Sequence, residues 1–299
     1  MLIFKNLNRA AILFLLLLFI VFANSSIPQT SNQQSSNKKY RFIYSKDLFF
    51  NTKLEDAVAL TKIFTEKIRK QKNVKDDFEI IVCETEDELI EAVKTNFDFV
   101  LSSTSDFIKL FKTGNVKPVL VNQPQGNYGY VYYLISKNKK GFNKLEDLKN
   151  SKLRILSRSD GQVPSIWLEK LLRDKKLPRK DKFFNELSFD FVPTNVILPV
   201  YFDKIDAAIV TKASFELMCE LNPTLLKEFN ILEVSPALLF GVLCFDKKNT
   251  DTNRDKFIYD ILTTMHNDVD GQQFLNLFSL EKIIPYKEIY LTKFLELYK

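Results

Sequence analysis

Histidine and cysteine are scarce in this sequence, and their scarcity narrows the chemistry that the protein can perform. Its 299 residues include one histidine, His266, and three cysteines, Cys83, Cys219 and Cys244. A lone histidine among polar neighbours leaves little room for a histidine-dependent catalytic triad or a histidine-based metal site. Three widely separated cysteines fit no metal-ligand spacing and allow one disulfide at most. We predict free or buried thiols, no bound metal and no cofactor.

The sequence also lacks an apolar run long enough to span a membrane. Its one extended apolar run, residues 10–23, follows Lys5 and Arg9 and is shorter than the roughly 20 residues of a spanning helix. A basic flank, a short apolar core and small residues at its end are typical of a secretory signal. We therefore predict a signal peptide over residues 1–23 with cleavage after Ala23; an uncleaved membrane anchor is the alternative.

Residues 24–39 form a polar tract too poor in apolar side chains to fold, and we predict a flexible linker there. No cysteine follows Ala23 directly, so lipid attachment has no support. The folded part, from about residue 40, is therefore expected in the periplasm, with length enough for two domains. The net charge of +6 is spread among acidic residues without an arginine-rich stripe, which argues against a nucleic-acid partner.

Two distant segments of the chain share one pattern. Residues 96–107 and 204–215 each contain an aspartate, a short apolar run, a turn with hydroxyl side chains and a helix-like stretch. A short apolar run bounded by turn residues is typical of a strand buried in a parallel sheet. Ligands bind such sheets at the carboxyl ends of the strands. The repeat predicts two similar lobes that face one another, although every doubly wound fold contains turns of this kind.

Elsewhere, strand-like and helix-like segments alternate, which is typical of an α/β fold. The predicted strands are residues 40–44, 78–83, 118–122, 153–156 and 189–192; the predicted helices are 54–69, 86–94, 164–173 and 195–202, with a charged loop over 174–188 and a mainly helical end from 254. Two longer β runs, 128–136 and 235–245, flank a block of about 100 residues. If both runs cross between lobes, residues 40–132 and 238–299 form lobe 1, and residues 133–237 form lobe 2. A ligand-binding cleft then lies between the lobes.

Several short motifs follow one another in a recognisable order. They are Asp98 before a strand, Gly129-Tyr130, the LEDL of 145–148, Pro164 after the Ser157 turn, the VYFDKIDAA of 200–208, Ser235-Pro236, Asp270-Gly271-Gln272-Gln273 and Ile284-Pro285-Tyr286. In these features the chain resembles the phosphonate/phosphate/phosphite-binding family of periplasmic solute-binding proteins, the capture subunits of ABC importers. The resemblance implies a type II periplasmic-binding-protein fold of class α/β, with two lobes, a doubly wound mixed sheet with flanking helices in each, and two hinge strands.

The chain departs from the family at positions that contact the ligand. Where the family has Ser-Thr-Ser-Gly, this sequence has Ser157-Arg158-Ser159-Asp160, and an aspartate in that turn would repel an anion. Val192-Pro193 replaces a Gly-His pair, Tyr132 replaces a small residue, and Ser102 replaces an aromatic residue found in some members. The family's ligand therefore cannot be transferred to this chain.

The candidate ligand-binding residues lie in the predicted turns and on one β run. Hydroxyl groups and backbone N–H groups in such turns can bind a polar ligand, although the same residue types also cap helices without one. The candidates are Ser102, Ser103, Thr104, Tyr130, Ser157, Arg158, Ser159, Asp160 and Thr211. Asp98 and Asp206 are expected to fix strand ends, and Trp167 to pack in the interior.

The function predicted from these observations is capture of a small polar ligand, anionic or zwitterionic, for an ABC importer. The expected partners are that ligand and an ABC permease, and the protein is expected to be a monomer. The alternative is a periplasmic sensor subunit for a membrane histidine kinase or cyclase. A remote alternative is an enzyme on the same scaffold that uses Asp160, but no second carboxylate is evidently placed beside it.

Overall fold

Two mixed β-sheets with flanking helices form the part of the chain that the computed structural model describes, residues 39–49, 53–124, 126–157, 162–277 and 280–299. The predicted signal peptide lies outside these ranges, as does the predicted linker up to residue 38. None of the described helices is both long and apolar enough to cross a bilayer.

The strands divide between a six-stranded and a five-stranded sheet. They are β1 (Lys39–Ser45), β2 (Asp77–Cys83), β3 (Phe99–Ser103), β4 (Val116–Gln123), β5 (Tyr132–Lys137), β6 (Lys152–Leu156), β7 (Glu186–Asp190), β8 (Ala207–Thr211), β9 (Phe229–Val234), β10 (Gly241–Asp246) and β11 (Lys282–Pro285). The first sheet has the order β11-β4-β10-β3-β1-β2, and the second has the order β7-β6-β8-β5-β9. Each sheet contains parallel and antiparallel pairs, as predicted for a mixed sheet.

The helices connect these strands and cover the sheets. They are α1 (Leu54–Gln71), α2 (Glu86–Ala92), α3 (Thr104–Lys112), α4 (Val163–Asp174), α5 (Lys180–Phe183), α6 (Pro193–Tyr201), α7 (Lys212–Leu221), α8 (Thr224–Glu228), α9 (Thr252–Thr264), α10 (Val269–Leu277) and α11 (Glu288–Leu295). In α1, Glu55 and Asp56 occupy the first turn, where carboxylates offset the positive end of the helix dipole.

The second sheet is built from one continuous stretch of chain, β5 to β9, inserted between strands of the first. The chain therefore passes between the sheets twice. We call residues 124 and 126–131 the first crossing segment and residues 235–240 the second, and we call the two sheets with their helices the first and second lobes. This is the two-lobed arrangement that the sequence predicts.

The repeated segments occupy equivalent places in the two lobes. β3 lies between a parallel neighbour, β1, and an antiparallel neighbour, β10. β8 lies likewise between β6 and β5. β10 follows the second crossing segment, and β5 follows the first. Each repeated strand therefore ends beside a strand that begins at a crossing segment.

The centres of both sheets are apolar and fully buried. Val100 and Leu120 have no exposed surface in the first lobe, and neither do Leu134 and Ile209 in the second. Trp167 is 2% exposed and packs in the interior, as predicted, with its ring centroid 6.4 Å from that of Tyr132.

Several elements differ from the prediction. The predicted β run 128–136 is a strand only from Tyr132, where β5 begins. In place of one long β run at 235–245 the structure has β9 before it, a crossing with one isolated bridge at Leu238 and then β10. β11 lies in the region expected to be mainly helical, and α5 lies within the predicted loop 174–188. β7 also begins earlier than expected, at Glu186. Each of these pieces is short and borders a turn, where local patterns are weakest.

Candidate functional site

The first repeated turn lies where β3 ends and α3 begins. Ser103 caps α3, because its Oγ accepts a hydrogen bond from the N–H of Asp106 at 3.2 Å. Its hydroxyl also donates to the Asp106 carboxylate at 2.9 Å. Thr104 donates from its N–H to the Phe240 carbonyl at 2.9 Å and from Oγ1 to the Leu239 carbonyl at 2.6 Å. Both predicted ligand-binding residues therefore have partners within the protein.

The second repeated turn has the same construction. The Thr211 Oγ1 caps α7 by accepting a hydrogen bond from the N–H of Ser214 at 3.1 Å, and the two hydroxyl oxygens lie 2.7 Å apart. The next residue, Lys212, donates its N–H to the Val131 carbonyl at 2.7 Å, as Thr104 does to Phe240. Each turn is thus capped by its own hydroxyl and hydrogen-bonded to a crossing segment.

Ser102 precedes this turn, within β3. It has no exposed surface, and its Oγ has no hydrogen-bond partner among the described residues. In the sheet it pairs with Val242 of β10. A buried hydroxyl without a partner costs about 1–3 kcal/mol of stability. Ser102 therefore lies within the first lobe and does not contribute to the cavity described below.

The two crossing segments run antiparallel and are joined by hydrogen bonds. Tyr130 donates its N–H to the Leu238 carbonyl at 2.9 Å, and Leu238 donates back to the Tyr130 carbonyl at 2.8 Å. Tyr132 and Ser235 form a second link, through the Ser235 N–H and the Tyr132 carbonyl at 2.9 Å. A Cβ on Gly129 would lie 2.0 Å from the Leu238 carbonyl oxygen, so this close approach requires glycine.

A cavity of about 240 Å³ lies at this crossing, between the first crossing segment and α7 of the second lobe, and we call it the interlobe cavity. Its wall combines the first crossing segment with the first turns of α7: Pro124, Asn127, Gly129, Tyr130, Val131, Lys212, Ala213 and Glu216. Of the predicted ligand-binding residues in the described ranges, Tyr130 lines this cavity, whereas the others do not: Ser102, Ser103, Thr104, Ser157 and Thr211.

The cavity wall carries one positive and one negative side chain. The Lys212 Nζ and Glu216 Oε2 atoms lie 2.6 Å apart, and the side chains remain 41% and 43% exposed. The hydrogen bond to Glu216 raises the pKa of Lys212, so its ammonium group is charged at neutral pH. Burial and then the Glu216 carboxylate raise the pKa of the neighbouring Tyr133 phenol. A pair of opposite charges in a cavity can bind the two charged groups of a zwitterion, or an anion through the lysine alone.

Glu216 is not among the residues predicted from the sequence to bind a ligand. The sequence does indicate that it pairs with Lys212, because a glutamate four residues after a lysine on a predicted helix lies on the same face. Such a pair is more often a surface ion pair than part of a binding site, and only the fold shows that this one faces the crossing.

Tyr130 is buried between two cavities. Its ring packs edge-on against Phe240, with centroids 5.2 Å apart, and burial raises the pKa of its phenol. Besides the interlobe cavity it lines a smaller apolar cavity within the first lobe, with Tyr44 and Asn122 among the other residues. Tyr130 thus lines both cavities, and its contact with a ligand stays a prediction.

Ser157 directly follows β6 and is buried. Its Oγ donates to the Gln162 side-chain oxygen at 2.9 Å, and its N–H donates to the Asp190 carbonyl at 2.9 Å. The other three residues of the predicted turn lie outside the described ranges: Arg158, Ser159 and Asp160.

The two aspartates of the repeat fix strand ends, as predicted. Asp98 accepts a hydrogen bond at 3.0 Å from the Nη2 of Arg254. Asp206 accepts the N–H of Lys152 at 2.8 Å and pairs with the Nζ of Lys140 at 2.5 Å. Both carboxylates precede their strands, at the ends opposite the turns, so they stabilise the lobes and do not reach the interlobe cavity.

The described residues contain no cluster of three or more histidine, cysteine or carboxylate side chains that could hold a metal ion. All three cysteines are free and buried. Burial raises the pKa of Cys83 to about 11 and raises the pKa of the Cys244 thiol well above its ordinary value.

We therefore expect the native protein to be almost inert toward Ellman's reagent at pH 8. Only the thiolate reacts, and burial both removes the thiolate and blocks the reagent. In urea all three thiols should react, which confirms that none is in a disulfide. Rapid reaction of one thiol in the folded protein would contradict this expectation.

A sequence model of one known family, described as "ABC transporter, phosphonate, periplasmic substrate-binding protein", matches residues 54–288. No curated protein matches the chain. Among solved structures, PhnD1 of Prochlorococcus marinus in complex with methylphosphonate is 14% identical, with a TM-score of 0.61 over 87% of this chain and 97% of that one. A binding protein of a phosphonate ABC transporter from Pseudomonas aeruginosa is 13% identical, with a TM-score of 0.61 over 88% and 86% of the two chains.

A third similar structure is a Xanthomonas citri protein bound to ATP, 13% identical with a TM-score of 0.61 over 87% of this chain and 95% of that one. At such identities the structures show a shared fold, and the two bound ligands that are named, methylphosphonate and ATP, differ in size and chemistry. The family match covers most of the folded chain. The protein therefore belongs to the phosphonate-binding family of periplasmic substrate-binding proteins of ABC transporters.

Proposed function

We propose that this protein captures a small anionic or zwitterionic solute between its two lobes and delivers it to an ABC permease. The observation that carries the proposal is the interlobe cavity, whose wall holds Lys212 and Glu216 beside the crossing segments. The role is binding without catalysis, since the chemistry assembled at this cavity is one ion pair, backbone groups and a buried tyrosine.

The lobes move as two bodies in this proposal, with residues 40–132 and 238–299 in one and residues 133–237 in the other. The crossing segments serve as the hinge between them. A solute that contacts both lobes favours the closed state over the open one by its difference in affinity for the two. The permease then recognises the closed protein, which acts as a monomer in the periplasm after export.

The predicted turn of residues 157–160 completes the site in this proposal. Arg158 would add a bidentate donor for an oxyanion, while Asp160 would favour a solute that also carries a positive charge. This combination differs from the Ser-Thr-Ser-Gly of the family. The bound methylphosphonate of the Prochlorococcus protein is therefore a probe to try first and not the assumed ligand.

A thermal-shift screen on residues 38–299 tests the proposal. The panel contains phosphate, alkylphosphonates, aminoalkylphosphonates, sulfate, nucleotides, amino acids and betaines. A ligand present at 100 times its Kd stabilises the folded form by about 2.7 kcal/mol, which raises Tm by roughly 5 °C for a protein of this size. A flat response to every solute class would count against solute capture.

Replacing Lys212 with methionine should weaken binding of the best solute about tenfold, since a charged hydrogen bond to the ligand is lost. Titration calorimetry measures the two affinities. The matched control is Lys109→Met, which removes a lysine of similar exposure that pairs with Glu86 on the first lobe. Equal affinities for Lys212→Met and the control would place the solute elsewhere.

A further inference from the structure

The C-terminal segment, residues 288–298, follows β11 of the first sheet and reaches the first crossing segment. Within α11, Leu291 is 6% exposed and Phe294 is fully buried. On the same helix the Tyr290 ring stacks on Tyr128 of the first crossing segment, with centroids 4.2 Å apart and planes at 7°. The segment is therefore joined to the first lobe through β11 and packs on one of the two connections between the lobes.

The same segment then makes a direct bond to the second lobe. Beyond α11 the chain forms a single 3-10 turn, Glu296–Tyr298, which packs on α4. There the Leu297 carbonyl accepts a hydrogen bond from the Nη2 of Arg173 at 2.7 Å. Leu297 is 3% exposed, so this charged hydrogen bond is partly shielded from water. A hydrogen bond from a charged donor is about twice as strong as a neutral one.

The position of Arg173 connects this bond to the candidate site. Arg173 lies in the last turn of α4, the helix that follows the turn of residues 157–160. The residue after Leu297, Tyr298, lies beside Ser105 in the first turn of α3, the helix that follows the first repeated strand. The segment thus touches α3 and α4, one helix from each lobe.

We propose that residues 288–298 act as a latch, in which the Arg173–Leu297 hydrogen bond holds the lobes in the arrangement seen here and sets the open–closed equilibrium. Arg173 belongs to the second lobe, whereas Leu297 lies in a segment that is joined to the first lobe through β11 and through Tyr298 beside Ser105, so opening about the crossing segments breaks this bond. Arg173 is therefore a positioning residue for solute binding. The link to affinity rests on the proposed function, whereas the effect on lobe separation does not.

Distances between spin labels on the two lobes test the latch without any solute. Lys256 of the first lobe and Arg179 of the second are suitable for substitution by cysteine, because their side chains are 72% and 79% exposed. The three native thiols are buried and do not compete for the label. In this labelled background, Arg173→Met is compared with Lys170→Met, which removes an ion pair with Asp174 on the same helix.

We expect Arg173→Met to raise the ratio of the open, longer-distance population to the closed, shorter-distance population by roughly tenfold, because one charged hydrogen bond that favours the closed state is lost. Lys170→Met should leave the distribution unchanged. If Arg173→Met does not shift the distribution while its circular dichroism stays native, the latch is refuted. Where Arg173→Met fails to fold, Arg173→Lys gives the same test with a smaller expected shift.

Solute binding tests the second half of the proposal separately. With the best solute of the screen, Arg173→Met should raise Kd by a factor similar to the change in the population ratio. A shifted distribution with an unchanged Kd would overturn the role of Arg173 in affinity but not the latch. If no solute binds, the distance measurement still decides whether the latch exists.

Discussion

Replacing Arg254 with methionine is expected to lower the free energy of unfolding by about 3–5 kcal/mol, because it leaves a buried carboxylate without its partner. Asp98 is 5% exposed and is hydrogen-bonded through both carboxylate oxygens to the Arg254 guanidinium. The same guanidinium stacks 3.6 Å above the Tyr40 ring and donates to the Lys39 carbonyl at 2.5 Å. One side chain thus joins α9 to the start of β1 and to the aspartate before β3.

Urea unfolding followed by circular dichroism measures this loss. The control is Lys256→Met on the same helix, where the pair with Asp260 is exposed at the surface and should contribute less than about 1 kcal/mol. In the double variant with Asp98→Asn, part of the loss should be recovered, since the unpaired charge is gone. If Arg254→Met and Lys256→Met lower the free energy of unfolding equally, the Asp98 carboxylate is hydrated when the arginine is absent, and the prediction is wrong.

Gly129→Ala is expected to cost about 2–3 kcal/mol, because the new methyl group overlaps the opposite crossing segment. The added Cβ would lie 2.0 Å from the Leu238 carbonyl oxygen and 2.7 Å from the Leu239 nitrogen, both backbone atoms. The crossing segments would have to separate, which weakens the Tyr130–Leu238 hydrogen bonds.

The control for this prediction is Gly114→Ala. Gly114 has a φ of +73° and open space around its Cα, so alanine there costs about 1–2 kcal/mol of backbone strain and nothing by overlap. Melting temperatures rank the two variants, and the spin-label distances report whether the lobes also shift. A shift is expected for Gly129→Ala alone; identical behaviour of the two variants would show that the crossing tolerates a side chain.

The repeated units were predictable from sequence because each is local. In β3 and β8 the apolar run, the capping hydroxyl and the helix follow one another within about a dozen residues. The strand β9 was missed for a physical reason. It lies at a sheet edge, with Ile231 and Val234 exposed, whereas the apolar stretch after it is buried without pairing as a strand. A hydrophobic run in the sequence indicates a buried segment. It indicates a strand only where the buried segment also pairs in a sheet.

The edge strand β11 escaped prediction similarly. It contains Pro285, which lacks an N–H and is tolerated at an edge, so its pattern does not resemble that of a central strand. The candidate site was predictable only in part, since its walls come from distant segments. The turns were found, but nothing local to Thr104 or Lys212 indicates that the Phe240 and Val131 carbonyls accept their N–H groups.

Those two hydrogen bonds also determine where the protein can bend. At the end of the second crossing segment, the Phe240 carbonyl accepts a hydrogen bond from the first residue of α3. At the end of the first crossing segment, the Val131 carbonyl accepts one from the first residue of α7. Any change in the angle between the sheets must be taken up by backbone torsions in the two crossing segments, before Val131 in the first and before Phe240 in the second. In the proposed closure the pivot is therefore confined to the two crossing segments, which meet at the Tyr130–Leu238 pair, and rotation of the lobes is limited by how far these segments can twist.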